Sequence, residues 1–575
     1  MEILVTPEYR NLFPFENETM EMLLFDIPSI SVIELLALMD AELYAHQEDE
    51  DSQVKLMDLM LNRQPPAVIG NIMSNALKGR QTHVHFFSQH YNMHLLHYEL
   101  INYRELPVPE GDLTPEQELR IFKAYFLAAQ LAGNTLVYKS EGLPEFNEDY
   151  FSKMLWPGLA DQFEFHFRIN PYYFMIRGVV LLNHLQFHTP YGAYVEAYLR
   201  QHQKPTVLNY FLDIFQMLIA NTKSLNDPNR DFAAFSIQRS PGFESLFRQF
   251  TMDRHHYTKT YSGGKQNYAG LKSKPLYQLD EKKWLILNWG FLANKLYEGL
   301  VFDFYLESGI ASDPKFSGIT AFKQFISQEV TDQKLFRKLL KAAFDHRYGT
   351  LLFDDGQIAG FPDAYYRQGN RVYLIELKDA YFPSEAAGSY SYEQIIAAID
   401  KKINNKGKGT GQIIKQLTYL SKQPYEEAGR YKHTRNLEIY PVIVYTDILF
   451  NMPGVNYYVE QSFRRQVKEH DLEKHFKVVK PLTLMNISYL IEIFDQLKKP
   501  ETDLGKLVCY HHQQIKTRKK RHDRTNSMSD HITIYDVFEH VVSHIFPEPQ
   551  DCSDYIRTVT HTLDLDEGVP GWKPR

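Results

Sequence analysis

Residues 361–380 read FPDAYYRQGNRVYLIELKDA, and the reading of this stretch decides the fold. IAGFPDAYY (358–366) and RVYLIELKD (371–379) are both rich in β-branched, aromatic and aliphatic residues, so each reads as a strand. QGNR between them is a hairpin signal. With Gly369 and Asn370 as a two-residue turn, Gln368 pairs with Arg371. Counting back from that pair, Asp363 falls opposite Glu376, with Cβ atoms about 5 Å apart. Lys378 lies two residues beyond Glu376 and projects from the same face.

Two facing carboxylates repel unless a cation or a proton is shared between them. Hard oxygen donors of this kind suit Mg²⁺ or Mn²⁺. Glu-x-Lys alone is common on exposed strands, where it is a solvated ion pair. Here VYLI precedes it without polar alternation, which predicts a strand buried on both faces. Charges closing such a strand mark a site.

Pro362-Asp363 and Glu376-x-Lys378 resemble the motif of the PD-(D/E)xK nuclease superfamily. That resemblance covers roughly residues 318–470 and implies an α/β restriction-endonuclease-like core, a mixed sheet flanked by helices. The family order is helix, three-stranded meander, helix, strand. Pieces in that order are QKLFRKLLKAAF with helical periodicity, the strand YGTLLF, the turn Asp354-Asp355-Gly356 and the two motif strands. The helix TGQIIKQLTYLS and the strand LEIYPVIVYTD follow. The resemblance implies that Asp363, Glu376 and the carbonyl of Leu377 hold Mg²⁺ or Mn²⁺, with Lys378 beside them. It also implies phosphodiester hydrolysis, with DNA as substrate. A further acid on the first helix is expected from Glu329, Asp332 or Asp345. A glutamine on the second helix, Gln412 or Gln416, is expected to orient the site or a phosphate, and Gln416 is the one assigned a catalytic place.

KKINNKGKGTG carries Lys401, Lys402, Lys406 and Lys408 and reads as a flexible basic loop, suited to a phosphate backbone or equally to keeping a solvated surface soluble. Lys415, Lys422, Arg430, Lys432 and Arg435 follow, with Glu426 and Glu427 among them. The whole chain of 575 residues nonetheless has a net charge of −8, so nucleic acid would have to be gripped through local patches. Two cysteines, Cys509 and Cys552, argue against a disulfide framework or a cysteine zinc site and fit a reducing cytoplasm. MEILVTPEYR is no signal peptide, and no apolar run is long enough to span a bilayer. No P-loop, dinucleotide fingerprint or internal repeat is present.

The length suggests several domains. Residues 1–252 read as mainly helical and carry no functional motif. SVIE at 31–34 is a capping-box pattern, and Thr114-Pro115-Glu116-Gln117 starts another helix. The histidines at 83, 85, 90, 94 and 97 sit among aromatic and aliphatic neighbours and read as structural. Residues 253–317 read as a linker, a hairpin around Asp280-Glu281 and a connecting helix. Residues 318–500 read, from the resemblance, as the nuclease-like unit. Residues 501–575 read as a basic linker, or alternatively a nucleic-acid-binding arm, with Lys516, Arg518, Lys519, Lys520, Arg521 and Arg524, then an amphipathic helix and a tail.

Alternatives stay open at this point. The substrate could be RNA, such as tRNA. A catalytically silent nuclease fold could serve as a nucleic-acid-binding or scaffold component. Activity could also be held off until a partner or signal arrives, with the large helical N-terminal region as the sensor, and a protein partner or homo-oligomer is compatible with the chain. A nuclease joined to a large helical region is compatible, by analogy, with defence against foreign DNA.

Overall fold

Apolar residues at helical spacing fill the first part of the chain, and the elements described between Tyr9 and Thr222 are helices. A computed structural model describes residues 7–569 except 47, 79–83, 109–112, 138–149, 167–169, 223–231, 239–242, 263–267, 345–348, 426–432, 500–501, 526–533, 535 and 546–551. The helix Pro115–Val137 begins with a reciprocal cap. Gln117 N–H donates to Thr114 Oγ1 at 3.2 Å, and Thr114 N–H donates to Gln117 Oε1 at 3.0 Å. SVIE makes no such cap, because its helix already starts at Ser29, after Pro28. Phe87, Phe122, Tyr125 and Phe126 are buried together with edge-on and tilted ring contacts.

The histidine group is packed structure. His90, His94 and His97 are buried on the helix Gln89–Ile101. His90 Nε2 lies 3.0 Å from Asp161 Oδ2, His94 Nδ1 2.8 Å from Tyr268 Oη and His97 Nδ1 2.7 Å from Tyr257 Oη. His83 lies outside the described residues. Burial pushes the pKa of His97, His184, His202 and His511 down to about 4. Unfolding frees them to titrate near 6.5, so the unfolded chain binds more protons between about pH 6.5 and 4. Stability is therefore present above that window and lost as pH falls through it. The melting temperature is expected to drop between about pH 7 and pH 5. Both ring nitrogens of buried His184 lack a hydrogen-bond partner, so His184→Leu is expected to make that drop smaller. An equal drop in both proteins would refute the assignment.

A small antiparallel sheet follows, formed by β1 (Ser236–Gln238), β2 (Leu276–Gln278) and β3 (Lys283–Ile286) in the order β1-β3-β2. The β2–β3 hairpin is the one expected around Asp280-Glu281, and Asp280 Oδ1 accepts the N–H groups of Lys282 and Lys283. The stretch read as an exposed linker is different. Residues Arg254–Tyr261 and Ala269–Ser273 are helical, and Tyr257 and Leu271 are buried. Gly263 and Gly264 lie outside the described residues.

The principal sheet is mixed and flanked by helices. Its strands are β4 (Thr350–Phe353), β5 (Ala364–Gln368) and β6 (Arg371–Lys378), then β9 (Glu438–Tyr445), β10 (Val478–Val479) and β11 (Thr483–Asn486). β4, β5 and β6 form an antiparallel meander, and β9 lies parallel to β6. β10 and β11 both pair with β9 in parallel. Pro441 has no N–H to give, and it lies on β9 where β10 has ended and β11 has not begun. Between β6 and β9 a short hairpin forms from β7 (Asn404–Asn405) and β8 (Lys408–Gly409). The basic loop expected there is thus an ordered turn of sheet.

The motif hairpin has the expected register. Gln368 pairs with Arg371, and Gly369 takes φ 60°, the left-handed value that the first position of a type II′ turn requires. The first strand is shorter than expected. Residues 358–363 are turn and irregular, with Gly360 at φ 79°, and β5 starts only at Ala364. The first helix is also unlike a plain amphipathic helix. Ile319–Phe325 and Arg337–Phe344 are α-helical, but Ile326–Phe336 between them is π-helical.

The helical part and the sheet share apolar contacts. One buried cluster contains Val179 and Leu182 with Ile375, Val442 and Phe494. Another contains Trp156, Ala160 and Phe163 with Tyr365, Leu374 and Ile443. Trp156 Nε1–H donates to the carbonyl of Pro453 at 2.9 Å, and Tyr390 Oη–H donates to Asp161 Oδ2 at 2.7 Å. The basic run read as a linker belongs to a helix, Leu504–Thr525. The amphipathic segment after it is described as a short helix, Phe538–Val542, and one 3₁₀ turn. No described helix is long and apolar enough to cross a membrane.

Candidate active site

Pro362 and the start of β5 fix the first acid. Ala364 pairs with Ile375, so the next position outwards sets Asp363 against Glu376. Leu377 N–H donates to Asp363 Oδ2 at 2.7 Å, and the side chain continues the ladder where the backbone pairing stops. Glu376 is carried on β6 between β5 and β9 and is fully buried. Lys378 turns back over it. Its Nζ lies 2.7 Å from Glu376 Oε2, 3.1 Å from the carbonyl oxygen of Leu377 and 3.9 Å from Asp363 Oδ2. These are the three groups expected from the sequence as metal donors, and one cationic nitrogen faces all of them.

The second helix supplies the fourth residue. It runs Thr410–Leu420, and Gln416 Nε2–H donates to Glu376 Oε1 from a buried position. Gln412 does something else. Its Oε1 accepts the N–H of Gly409 at 3.0 Å, which caps the helix start. Gly409 has φ 57°, and a Cβ there would collide with the carbonyl oxygen of Ile403. Gly409→Ala is therefore expected to cost about 1–3 kcal/mol and to loosen the helix that carries Gln416. Thermal denaturation checks this, and an unchanged midpoint would contradict it.

Burial first, and then the charge of Asp363, push the Glu376 carboxyl up to about 7, against the opposing effects of Lys378 and Gln416. A carboxyl held this way takes either a proton or a cation near neutrality. Of the candidate helix acids, Asp332 feels the charge of Asp363. Burial raises its pKa, while Arg337, at 2.9 Å, opposes the shift. Arg337 also donates to the carbonyl of Asp354 at 3.1 Å and so ties the helix to the end of β4. Glu329 is exposed, and Asp345 lies outside the described residues.

The strand ends bring further groups that the sequence did not single out. Thr446 Oγ1–H donates to Asp379 Oδ1 at 2.8 Å, and Phe382 N–H donates to Asp447 Oδ2 at 2.7 Å. These bonds clamp the segment after β6 to the segment after β9. Lys323 on the helix Ile319–Phe325 lies over the ring of Tyr381. Burial lowers its pKa to about 8, opposed by Glu298, Asp379 and Asp447. The signal for it in the sequence is a lysine set among Phe322, Phe325 and Ile326.

Among the described residues no group of three or more His, Cys, Asp or Glu side chains is gathered for a metal ion. The donor set on offer is two carboxylates and a backbone carbonyl, all hard oxygens, which fit Mg²⁺ or Mn²⁺ better than a softer ion. No family model, curated protein or solved structure matches the chain.

Proposed function

We propose that this chain is a metal-dependent nuclease with a restriction-endonuclease-like core, hydrolysing phosphodiester bonds in DNA. One observation carries the reading: Asp363 Oδ2, Glu376 Oε2 and the Leu377 carbonyl surround a single cationic point at the end of β6. A buried carboxyl raised by its neighbour is stabilised in its charged form by a positive charge placed there. The antiparallel meander followed by a parallel strand supports the same reading.

Each residue then has a role. Asp363 and Glu376, with the Leu377 carbonyl, would hold Mg²⁺ or Mn²⁺. Such an ion lowers the pKa of a bound water and neutralises charge on the phosphate. Lys378 would orient the attacking water or balance the negative charge that builds on the phosphate oxygens. Gln416 fixes the orientation of Glu376 through its side-chain amide, and supports of this kind tune the groups they hold.

The test is a cleavage assay on the full chain with supercoiled plasmid, linear duplex, single-stranded DNA and structured RNA in parallel. Cleavage is expected in Mg²⁺ or Mn²⁺ and its loss in EDTA. Cleavage of RNA alone would replace DNA as the substrate. Cleavage that persists in EDTA would remove the metal from the mechanism.

A further inference from the structure

We propose that the β7–β8 hairpin and the basic half of the helix Leu504–Thr525 form one ridge that grips the phosphate backbone of a nucleic acid beside the Asp363–Glu376–Lys378 site. What happens to the bound strand rests on the nuclease reading above, but the binding itself does not.

The hairpin is built to hold charge in place. Asn404 pairs with Gly409 and Asn405 with Lys408, which leaves Lys406 and Gly407 as the turn. Asn405 Nδ2–H donates to the carbonyl of Lys401 at 2.8 Å, and Asn405 Oδ1 accepts the N–H of Gly407 at 2.8 Å. Thr410 Oγ1–H donates to Asn404 Oδ1 at 3.0 Å. A Cβ on Gly411 would collide with the carbonyl oxygen of Asn405, so the helix start presses directly on the hairpin.

Lys401, Lys402, Lys406 and Lys408 ride on this frame, and no acidic residue lies between 401 and 408. Lys401, Lys406 and Lys408 are exposed. Among the described residues none of the four forms an ion pair. Lys402 is the half-buried member. Burial, and then the charges of Lys408 and Lys401, lower its pKa. Like charges therefore crowd Lys402, and Asp447 opposes them only in part.

The hairpin is tied to the site. It leads straight into the helix that carries Gln416, and Gln416 lies six residues on from Thr410, about 9 Å along the axis. Lys402 also feels Asp447, whose carboxylate clamps the segment after β6.

A second basic segment reaches the same place from far along the chain. Asp503, just before the helix Leu504–Thr525, forms an ion pair with Arg371 at the start of β6. The helix passes β11, where His512 Nε2 lies 2.9 Å from Thr483 Oγ1. Further along, Lys519 Nζ–H donates to Tyr457 Oη at 3.4 Å. The next residue, Tyr458, donates to Asp400 at 3.0 Å, and Asp400 also accepts from Asn404 of the hairpin at 2.8 Å. The hairpin and the basic helix therefore meet the first turn of the helix Val455–Glu469 from two sides. Lys516 and Lys520 are exposed there. Cations spread over two elements fit a polymer of regularly spaced phosphates better than a single small anion. A chain of net charge −8 needs such a local patch to approach nucleic acid at all.

The experiment measures binding without cleavage. Full-length protein carrying Asp363→Ala is titrated in EDTA against labelled duplex DNA, single-stranded DNA, RNA and polyglutamate over a range of salt. Lys401→Ala, Lys402→Ala, Lys406→Ala and Lys408→Ala together are expected to weaken nucleic-acid binding at least about tenfold and to flatten the salt slope by about 3–4 on duplex. Arginine at the same four positions should restore both. Lys516→Ala with Lys520→Ala should flatten the slope by a smaller amount. Unchanged affinity and slope in a folded hairpin variant would overturn the inference, as would equal binding of polyglutamate or no binding of any nucleic acid. Ridge-dependent binding without cleavage by the unsubstituted protein would instead refute only the nuclease reading.

Discussion

Replacing Asp363 or Glu376 with alanine is expected to reduce metal-dependent cleavage to background, a loss of about a thousandfold or more. Lys378→Ala should cost about 10²–10³-fold, because it removes one charge aimed at the phosphate. Gln416→Ala acts only through Glu376 and should cost about 10–100-fold. Alanine at 363 also removes the acceptor for Leu377 N–H, so a folding defect could imitate a catalytic one. Asp363→Asn separates the two, since its amide oxygen can still accept that bond while the negative charge is gone. Glu376→Gln does the same at the buried position. Wild-type cleavage rates in either of these would sink the site, whatever the alanine variants do.

The largest expected effect on stability lies away from the site. Lys295 and Asp303 form a buried pair, with Nζ 2.8 Å from Oδ2, and the two side chains are 1% and 8% exposed. Burial lowers the pKa of Lys295, and Asp303 opposes that shift. Lys295→Met leaves the Asp303 carboxylate uncompensated near Glu307, whose own pKa is raised by burial and then by Asp303. Breaking one side of such a pair costs about 3–5 kcal/mol, whereas replacing both partners by apolar groups is often nearly neutral. Denaturant unfolding is therefore expected to show a large loss for Lys295→Met and recovery of most of it in Lys295→Met/Asp303→Leu. A single variant within about 1 kcal/mol of the parent would show that the pair contributes little.

Local chemistry was legible in the sequence where one turn or one spacing determined it. Gly369-Asn370 gave the hairpin register, and the register set Asp363 against Glu376. The start of β5 is not legible in the sequence because IAGFP has strand composition, yet Gly360 takes a left-handed turn there. Gln412 and Gln416 lie one helical turn apart and look alike in sequence. Only the packing of their helix decides which meets Glu376 and which caps the helix. Asp332 could not be placed because the residues around it follow π-helical rather than α-helical spacing, which rotates the face expected from a period of 3.6. The helices Arg254–Tyr261 and Ala269–Ser273 were hidden by their polar composition, since among the described residues of 254–273 the buried ones are Tyr257, Tyr268 and Leu271. Lys516 to Thr525 read as a linker for the same reason, being polar almost throughout.

Trp156 has one further consequence. It belongs to the helix Tyr150–His166, yet it is buried with Ile395, Ile413 and Val455 and hydrogen-bonded to Pro453. Residues that the sequence would assign to different modules thus fill one another's cores. The half that carries the candidate site is not a cassette: a gene fragment starting at residue 318 would carry an open apolar socket in place of this tryptophan. Any recombination or fusion that exchanges the nuclease-like segment must carry the Tyr150–His166 helix along with it.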